Sequence, residues 1–140
     1  MLENLLNNWG YTVISVSNGK DAFEALIENN GPRLALLDWM MPEMDGVEVC
    51  KTLRKYNGNP YVYIIMLSGK IQEKDIVASI EAGADDYIVK PFSVYELEAR
   101  LKAGKRIIQL QEELMYARDQ LNIRAMHDPL RQIYDQAEGF

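Results

Sequence analysis

The chain has 140 residues, 48% of them hydrophobic and 26% charged, which suits one ordinary domain with residues left for an appendage. A net charge of −6 without clustered Lys and Arg argues against a nucleic-acid surface. The sequence shows no apolar run that could span a bilayer and no basic leader with a cleavage site, and the single cysteine, Cys50, excludes an internal disulfide. We therefore expect a cytoplasmic domain that binds cations or docks on a protein partner.

The N-terminal part of the chain predicts a helix, a strand and a second helix. Leucines share one face of a helix over residues 1–9, and Gly10 ends it. The β-branched run YTVISV at 11–16 predicts a strand, and apolar residues at helical spacing predict a helix over 20–29.

The same unit then repeats along the chain. Strands are predicted at RLALLD (33–38), YVYIIML (61–67) and DYIVK (86–90), helices at 47–56 and 72–82, and a long helix from Ser93. Strands this apolar have no solvent-facing side, so their alternation with helices predicts a parallel sheet covered on both faces. With right-handed crossovers this is an α/β, doubly wound sheet, whose sites form at the carboxyl ends of the strands.

Three polar residues are predicted at that carboxyl edge. Asp38 ends its strand, Ser68 directly follows YIIML, and Lys90 ends YIVK. A carboxylate nucleophile, a hydroxyl donor and an ammonium that converge there could hold a tetrahedral oxyanion, which suggests phosphoryl chemistry. Taken singly, each is better explained as a polar residue that caps a loop, and it is the three together that favour a site.

The stretches LALLDWMMPEMDG, IIMLSGK and AGADDYIVKPF resemble, in order and spacing, the motifs of response-regulator receiver domains, which have a flavodoxin-like fold. The resemblance covers residues 1–104 and leaves 105–140 as a helical linker and the start of a possible output domain. It implies a signalling domain of a two-component system, not an enzyme. Such a domain accepts a phosphoryl group from a histidine kinase or phosphotransfer protein, with Mg²⁺ as cofactor.

Carried over to this chain, the resemblance assigns a role to each residue at the carboxyl edge. Asp38 is the phospho-acceptor and a metal ligand, and Met40 offers a backbone carbonyl to Mg²⁺. Ser68 is the hydroxyl that binds a phosphoryl oxygen, and Lys90 is the lysine that neutralises phosphoryl charge. The side chains of Met40 and Met41 are interpreted as packing.

The resemblance also implies that Tyr87 changes rotamer with phosphorylation and that the Lys90–Pro91 peptide bond is cis. In the loop after Asp38, Gly46 is expected to take a positive φ where the next helix starts. Asp85 and Asp86, which lie away from the carboxyl edge, are interpreted as part of a turn or a solvated cap, and not as metal ligands.

One departure from the family pattern affects both fold and chemistry. Receiver domains begin with a strand that ends in two acidic residues, and this sequence begins inside the following helix. That strand normally lies between the strands predicted at 11–16 and 33–38. Three alternatives stay open: the flanking strands close up, another chain supplies a strand, or the sequence omits residues. As written, Mg²⁺ lacks two ligands, so the alternative function is a phosphorylation-independent pseudo-receiver, a protein-interaction module.

The C-terminal helix carries a short heptad pattern. Its apolar positions are Ile107, Leu110, Leu114, Ala117 and Leu121. About two repeats favour a homodimer through this helix, although a firm coiled-coil assignment needs about three to four, and a helix that lies back on its own domain is the alternative. Beyond it, the HDPL stretch resembles the N-terminal segment of GGDEF diguanylate cyclase domains. The GGDEF signature itself is absent, so no catalysis is expected of this chain.

Overall fold

The computed structural model of the chain describes residues 2–56 and 60–125. The helices and strands within these ranges are α1 Leu2–Asn8, α2 Gly19–Leu26, β1 Leu34–Asp38, α3 Gly46–Lys55, β2 Tyr63–Ser68, α4 Glu73–Ala82, β3 Asp86–Val89 and α5 Val94–Ala125. Every predicted element except the strand at 11–16 is present, with small shifts at the ends. None of the described helices is both long and apolar enough to cross a bilayer.

The three strands form one parallel sheet in the order β1-β2-β3. Alternate residues of β2 point to opposite faces. Ile64 and Met66 pack in a cluster with α2 and α3, while Ile65 and Leu67 pack in a cluster with α1 and α5. Both faces of the sheet are therefore covered, which confirms the α/β, doubly wound parallel fold predicted from the sequence.

The prediction of a strand at 11–16 is wrong. This segment has no strand structure, and Ile14 is 60% exposed. β-branched residues favour a strand only where a neighbouring strand pairs with them, and β1 pairs only with β2. A groove of about 210 Å³ lies between the segment and β1, and its lining includes Leu6, Tyr11, Val13 and Leu36. The flanking strands have therefore not closed up.

Gly46, at the start of α3, is required by close packing. An added Cβ would lie 2.6 Å from the Met66 sulfur and 2.7 Å from the Asp38 carbonyl oxygen. The predicted positive φ is wrong for Gly46, and the left-handed residue of this loop is Glu43, with φ of 70°. The glycine therefore holds the start of α3 directly against the end of β1.

Asp45 fixes where α3 begins. Its Oδ1 accepts a hydrogen bond of 2.8 Å from the backbone N–H of Glu48, and the Glu48 side chain accepts one of 3.2 Å from the backbone N–H of Asp45. This capping box satisfies N–H groups that the first helical turn leaves without partners. The loop between β1 and α3 is thus anchored at both ends.

Asp85 forms a clamp at the amino edge of the sheet. Its carboxylate accepts hydrogen bonds from the Tyr61 hydroxyl, from Arg54 Nη2 at 3.0 Å and from the backbone N–H of Ile64 at 2.8 Å. The interpretation of Asp85 as a turn residue or solvated cap is wrong, because partners distant in sequence enclose it. Burial, with help from the hydrogen bond to Asp85, raises the pKa of Tyr61 to about 12. We call Arg54, Tyr61 and Asp85 the amino-edge clamp.

Helix α5 packs on the sheet through its first part only. Leu97 and Leu101 are buried, and a Cβ on Gly104 would lie 2.7 Å from the Tyr63 ring and 3.0 Å from Leu34. Farther along, the apolar residues Ile107, Leu110, Leu114 and Leu121 are exposed. The alternative in which this helix lies back on its own domain is therefore wrong over 107–121.

Candidate functional site

The carboxyl edge of the sheet brings together the residues predicted from the strand ends. Asp38 is the last residue of β1 and Ser68 the last of β2, and the backbone N–H of Lys90 donates to the Ser68 carbonyl at 2.8 Å. The backbone N–H of Trp39 bonds the Leu67 carbonyl at 3.0 Å. Parallel pairing thus continues just past the strands and places the three residues at the same edge of the sheet.

Asp38 and Lys90 form an ion pair across the site, with the Lys90 ammonium in contact with Asp38 Oδ1. The side chains are 47% and 44% exposed. Ion pairs as open as this contribute little to stability, because water solvates and screens both charges. The arrangement instead leaves the carboxylate accessible to a reactant, with a cation already beside it.

Ser68 is buried directly beyond Leu67. Its Oγ accepts a hydrogen bond of 3.0 Å from the backbone N–H of Lys70. That bond uses a lone pair of the hydroxyl oxygen, and the hydroxyl keeps its own proton for donation. Ser68 can therefore donate to an oxyanion while its oxygen is held by the backbone.

Tyr87 of β3 reaches the same loop from the opposite side. Its hydroxyl donates to the Lys70 carbonyl at 2.8 Å, and its ring meets Trp39 edge to face, with centroids 6.4 Å apart. Trp39 is buried directly after Asp38. Tyr87 thus contacts both Trp39, which follows Asp38, and Lys70, which lies two residues after Ser68.

Lys70 is a residue at this edge that the sequence interpretation did not single out. Its ammonium lies 4.5 Å from the centroid of the Trp39 ring, a distance typical of a cation–π contact. The available signal was positional: a lysine two residues after Ser68 and a large aromatic residue directly after Asp38. Only the fold shows that the two meet.

The remaining predicted site residues lie in the loops after β1 and β3. The Met40 side chain is exposed, so its interpretation as packing is wrong, whereas Met41 is partly buried against the core. The Lys90–Pro91 peptide bond is cis. The backbone of Met40 lies near Asp38, and the backbone carbonyl is the part of Met40 with a predicted role.

The protein donors at this edge do not make up a magnesium site by themselves. They are the Asp38 carboxylate and the Met40 carbonyl, and Lys90 already contacts one carboxylate oxygen. Within residues 2–56 and 60–125, no three acidic, histidine or cysteine side chains come together as metal ligands. Mg²⁺ takes a nearly octahedral set of oxygens, most of them commonly from water and phosphate, so Asp38 and Met40 would supply only two of the six positions.

Comparison with known proteins points to one family. The family described as response regulator receiver domain matches residues 1–102. The transcriptional regulatory protein SrrA of Staphylococcus aureus is 38% identical over 144 aligned residues, covering 99% of this chain and 58% of SrrA. The protein named "Probable transcriptional regulator ycf27" of Porphyridium aerugineum is 46% identical over 106 residues, 76% of this chain and 42% of that protein.

A solved structure agrees with these relatives. The receiver domain of a signal transduction histidine kinase from Syntrophus aciditrophicus is 34% identical, with a TM-score of 0.66, and the match covers 74% of this chain and 77% of that one. The chain spans about half of the length of its curated relatives. The HDPL stretch, which resembles GGDEF diguanylate cyclase domains, lies in residues 126–140, outside the described residues. None of these relatives supports that resemblance.

Proposed function

The chain belongs to the response regulator receiver domain family, and we propose that it accepts a phosphoryl group on Asp38 from a histidine kinase or phosphotransfer protein. The observation that carries the proposal is the exposed Asp38–Lys90 ion pair at the carboxyl edge of the sheet. A carboxylate that is open to solvent and already paired with a cation suits attack on phosphorus better than it suits a structural role.

The transfer is a displacement at phosphorus. Lys90 contacts Asp38 Oδ1, so we assign Oδ2 as the attacking oxygen. An O–P bond forms as the N–P bond of the donor's phosphohistidine breaks, and the imidazole leaves with a proton. Lys90 neutralises charge that develops on the phosphoryl oxygens, and the Ser68 hydroxyl donates to one of them. In this scheme the chain supplies positioning and electrostatics, and it is a signalling receiver and not a stand-alone enzyme.

The direct test is phosphorylation by a small-molecule donor. The chain is incubated with acetyl phosphate at millimolar Mg²⁺ and measured by intact mass spectrometry, and we expect the mass to rise by one phosphoryl group. Asp38→Asn should show no increase. The matched control is Asp45→Asn at the end of the same loop, where asparagine caps α3 about as well as aspartate, and it should still be phosphorylated. Equal labelling of wild type and Asp38→Asn would contradict the proposal.

The second candidate is the phosphorylation-independent pseudo-receiver. It predicts that the few metal donors among the described residues do not support the Mg²⁺-dependent phosphoryl transfer that is general in the family. Repeating the acetyl phosphate reaction with and without Mg²⁺ separates the two. Labelling that requires Mg²⁺ supports a magnesium-assisted acceptor with Asp38 and the Met40 carbonyl as protein ligands, and no labelling under either condition supports the interaction module.

For the output, we propose a homodimer through α5. The exposed stripe Ile107, Leu110, Leu114, Ala117 and Leu121 recurs at steps of three and four residues, as a two-stranded coiled coil requires. Leu114→Glu should shift the sedimentation equilibrium toward monomer, and Gln109→Glu, an equal charge on another face of the helix, should not. A wild-type chain that stays monomeric with and without acetyl phosphate would contradict the dimer.

The whole protein's output is a separate proposal. We place the domain boundary near residue 104, because Gly104 packs closely against the sheet and the apolar stripe beyond it is exposed, which assigns 105–140 to a linker and the start of a possible output domain. The linker would carry the state of Asp38 to an attached domain in the cytoplasm. The names of the relatives suggest transcriptional control as that output, and the sequence of the tail suggests a diguanylate cyclase.

A further inference from the structure

Lys70 occupies a position that phosphoryl transfer to Asp38 does not use. Three of its groups have partners at the carboxyl edge: the backbone N–H bonds Ser68 Oγ, the carbonyl accepts from the Tyr87 hydroxyl, and the ammonium lies over the Trp39 ring. The residue is otherwise exposed. It connects the hydroxyl beside the site, the aromatic residue of β3 and the neighbour of Asp38.

The two lysines at this edge are held in different ways. The Lys90 ammonium contacts a full negative charge on Asp38, whereas the Lys70 ammonium is held by the face of an aromatic ring. The attraction between a cation and a ring at an exposed position is weak. Lys70 is therefore the cation that a new anion can draw away at little cost.

Phosphorylation would place such an anion beside it. A phosphoryl group carries about −1.5 to −2 charges near neutral pH, which Lys90 alone does not balance. Trp39 follows Asp38 directly in the chain, so the Lys70 ammonium lies over the ring of the residue next to the one that is modified. The excess negative charge attracts a weakly held cation at the same edge.

We propose that Lys70 is a movable second cation of the phosphoryl site, held on the Trp39 ring in the unmodified chain and transferred to the phosphoryl oxygens when Asp38 is modified. The inference rests on the proposed function of Asp38. No bond is made or broken in this step, and one ammonium exchanges an aromatic partner for an anionic one.

The backbone contacts of Lys70 give this movement a consequence. Its N–H and C=O bond the hydroxyls of Ser68 and Tyr87, so displacement of the residue disturbs both bonds at once. Release of the ammonium also removes the Trp39 contact that borders the Tyr87 ring. Lys70 is thereby a positioning residue that links the state of Asp38 to the side chain of Tyr87.

The first part of the test examines the unmodified chain. Proton–carbon NMR spectra of the lysine ε-methylene groups should show Lys70 shifted upfield by the ring current of Trp39. The shift should vanish in Trp39→Leu, and Lys74, which is exposed on α4, should show none. A Lys70 signal at the position of Lys74 in the wild type would overturn the proposal whatever happens at Asp38.

The second part adds acetyl phosphate and Mg²⁺ and quantifies the phosphoryl group by mass. The upfield shift of Lys70 should disappear in proportion to the phosphorylated fraction, and its persistence in phosphorylated chains would overturn the proposal. If the wild type accepts no phosphoryl group, the proposed function fails and the release of Lys70 fails with it. The NMR result on the unmodified chain then still decides whether the ammonium is held on Trp39.

Substitutions of Lys70 separate a charge contact from a structural role. We expect Lys70→Met to slow phosphoryl uptake by about two- to fivefold, the effect of losing one partly screened charge contact. Lys70→Arg should restore the rate, because it keeps the charge and stacks on aromatic rings. The control Lys74→Met should leave the rate unchanged. Equal rates for Lys70→Met and wild type, or equal slowing by Lys74→Met, would overturn the proposal.

Discussion

The two edges of the sheet each carry an acid paired with a base, and the two pairs are built differently. At the amino edge, the Asp85 carboxylate accepts hydrogen bonds from a guanidinium, a phenol and a backbone N–H. The Arg54 and Asp85 side chains are only 24% and 20% exposed. At the carboxyl edge, Asp38 and Lys90 meet with nearly half of each side chain open to solvent.

The difference separates a pair that holds the fold from a pair that is available for chemistry. A carboxylate that already has three donors in a largely buried position exchanges partners at high cost, because removing the acid leaves charge that water reaches poorly. The exposed carboxylate can exchange its partner for a reactant at small cost. The same kind of ion pair therefore serves stability at one edge and reactivity at the other.

The largest difference between the two edges is expected in the free energy of unfolding, when Asp85 and Asp38 are each replaced by alanine. Asp85→Ala should lower the free energy of unfolding by about 2–3 kcal/mol, because Arg54 and Tyr61 lose their shared acceptor. Asp38→Ala should change it by less than about 0.5 kcal/mol. Urea unfolding of both variants measures the two values. Equal losses would remove the distinction between the edges.

Gly46→Ala tests how tightly the loop after Asp38 is packed. The new Cβ would lie against the Met66 sulfur and the Asp38 carbonyl, and overpacking of this kind costs about 1–3 kcal/mol. Gly69→Ala is the matched control, because its Cβ meets nothing within 4 Å, and it should be nearly neutral. If the two substitutions destabilise equally in urea unfolding, the close contact at Gly46 is not what positions β1 against α3.

The amino-edge clamp should also make stability depend on alkaline pH. The pKa of Tyr61 rises from 10.0 to about 12 on folding, so the folded chain favours the neutral phenol. The resulting stability is fully present below pH 10 and is lost as the pH rises through 12. After allowance for partial exposure we expect about 1 kcal/mol. Tyr61→Phe should show a shallower fall of the urea midpoint over this range, and an identical fall would contradict the role of Tyr61.

The smallest effect is expected for Lys90→Met. Removing one partner of an exposed ion pair should change the free energy of unfolding by about 0–0.5 kcal/mol. Lys102→Met, which removes an exposed helical pair with Glu98, provides the comparison and should fall in the same range. A loss near that of Asp85→Ala would mean that the carboxyl-edge pair is structural after all.

Local patterns predicted most of the fold because most of it depends on local periodicity. The run at 11–16 shows where this fails: its β-branched residues favour a strand, but a strand also needs a neighbour to pair with, and β1 pairs on its other side. Gly46 shows a second limit. The sequence reveals that a glycine is present, and only the packing reveals that it is needed for close approach and not for its φ.

The site was predictable in part for a related reason. Asp38, Ser68 and Lys90 lie at strand ends, and parallel topology brings such ends together. Asp85 and Lys70 depend on partners in other parts of the chain, such as Arg54 and Trp39, and no local pattern indicates which side chains will meet. Roles that rest on long-range contacts therefore appeared only in the structure.

Helix α5 acts as a lever arm. Gly104 packs closely against Leu34 and Tyr63 of the sheet, and the helix runs on to Ala125, roughly 30 Å farther at 1.5 Å per residue. A tilt of about 10° at that fulcrum would swing the far end through roughly 5 Å. A small tilt of α5 at Gly104 would thus become a displacement of several ångströms at the distal end of the helix.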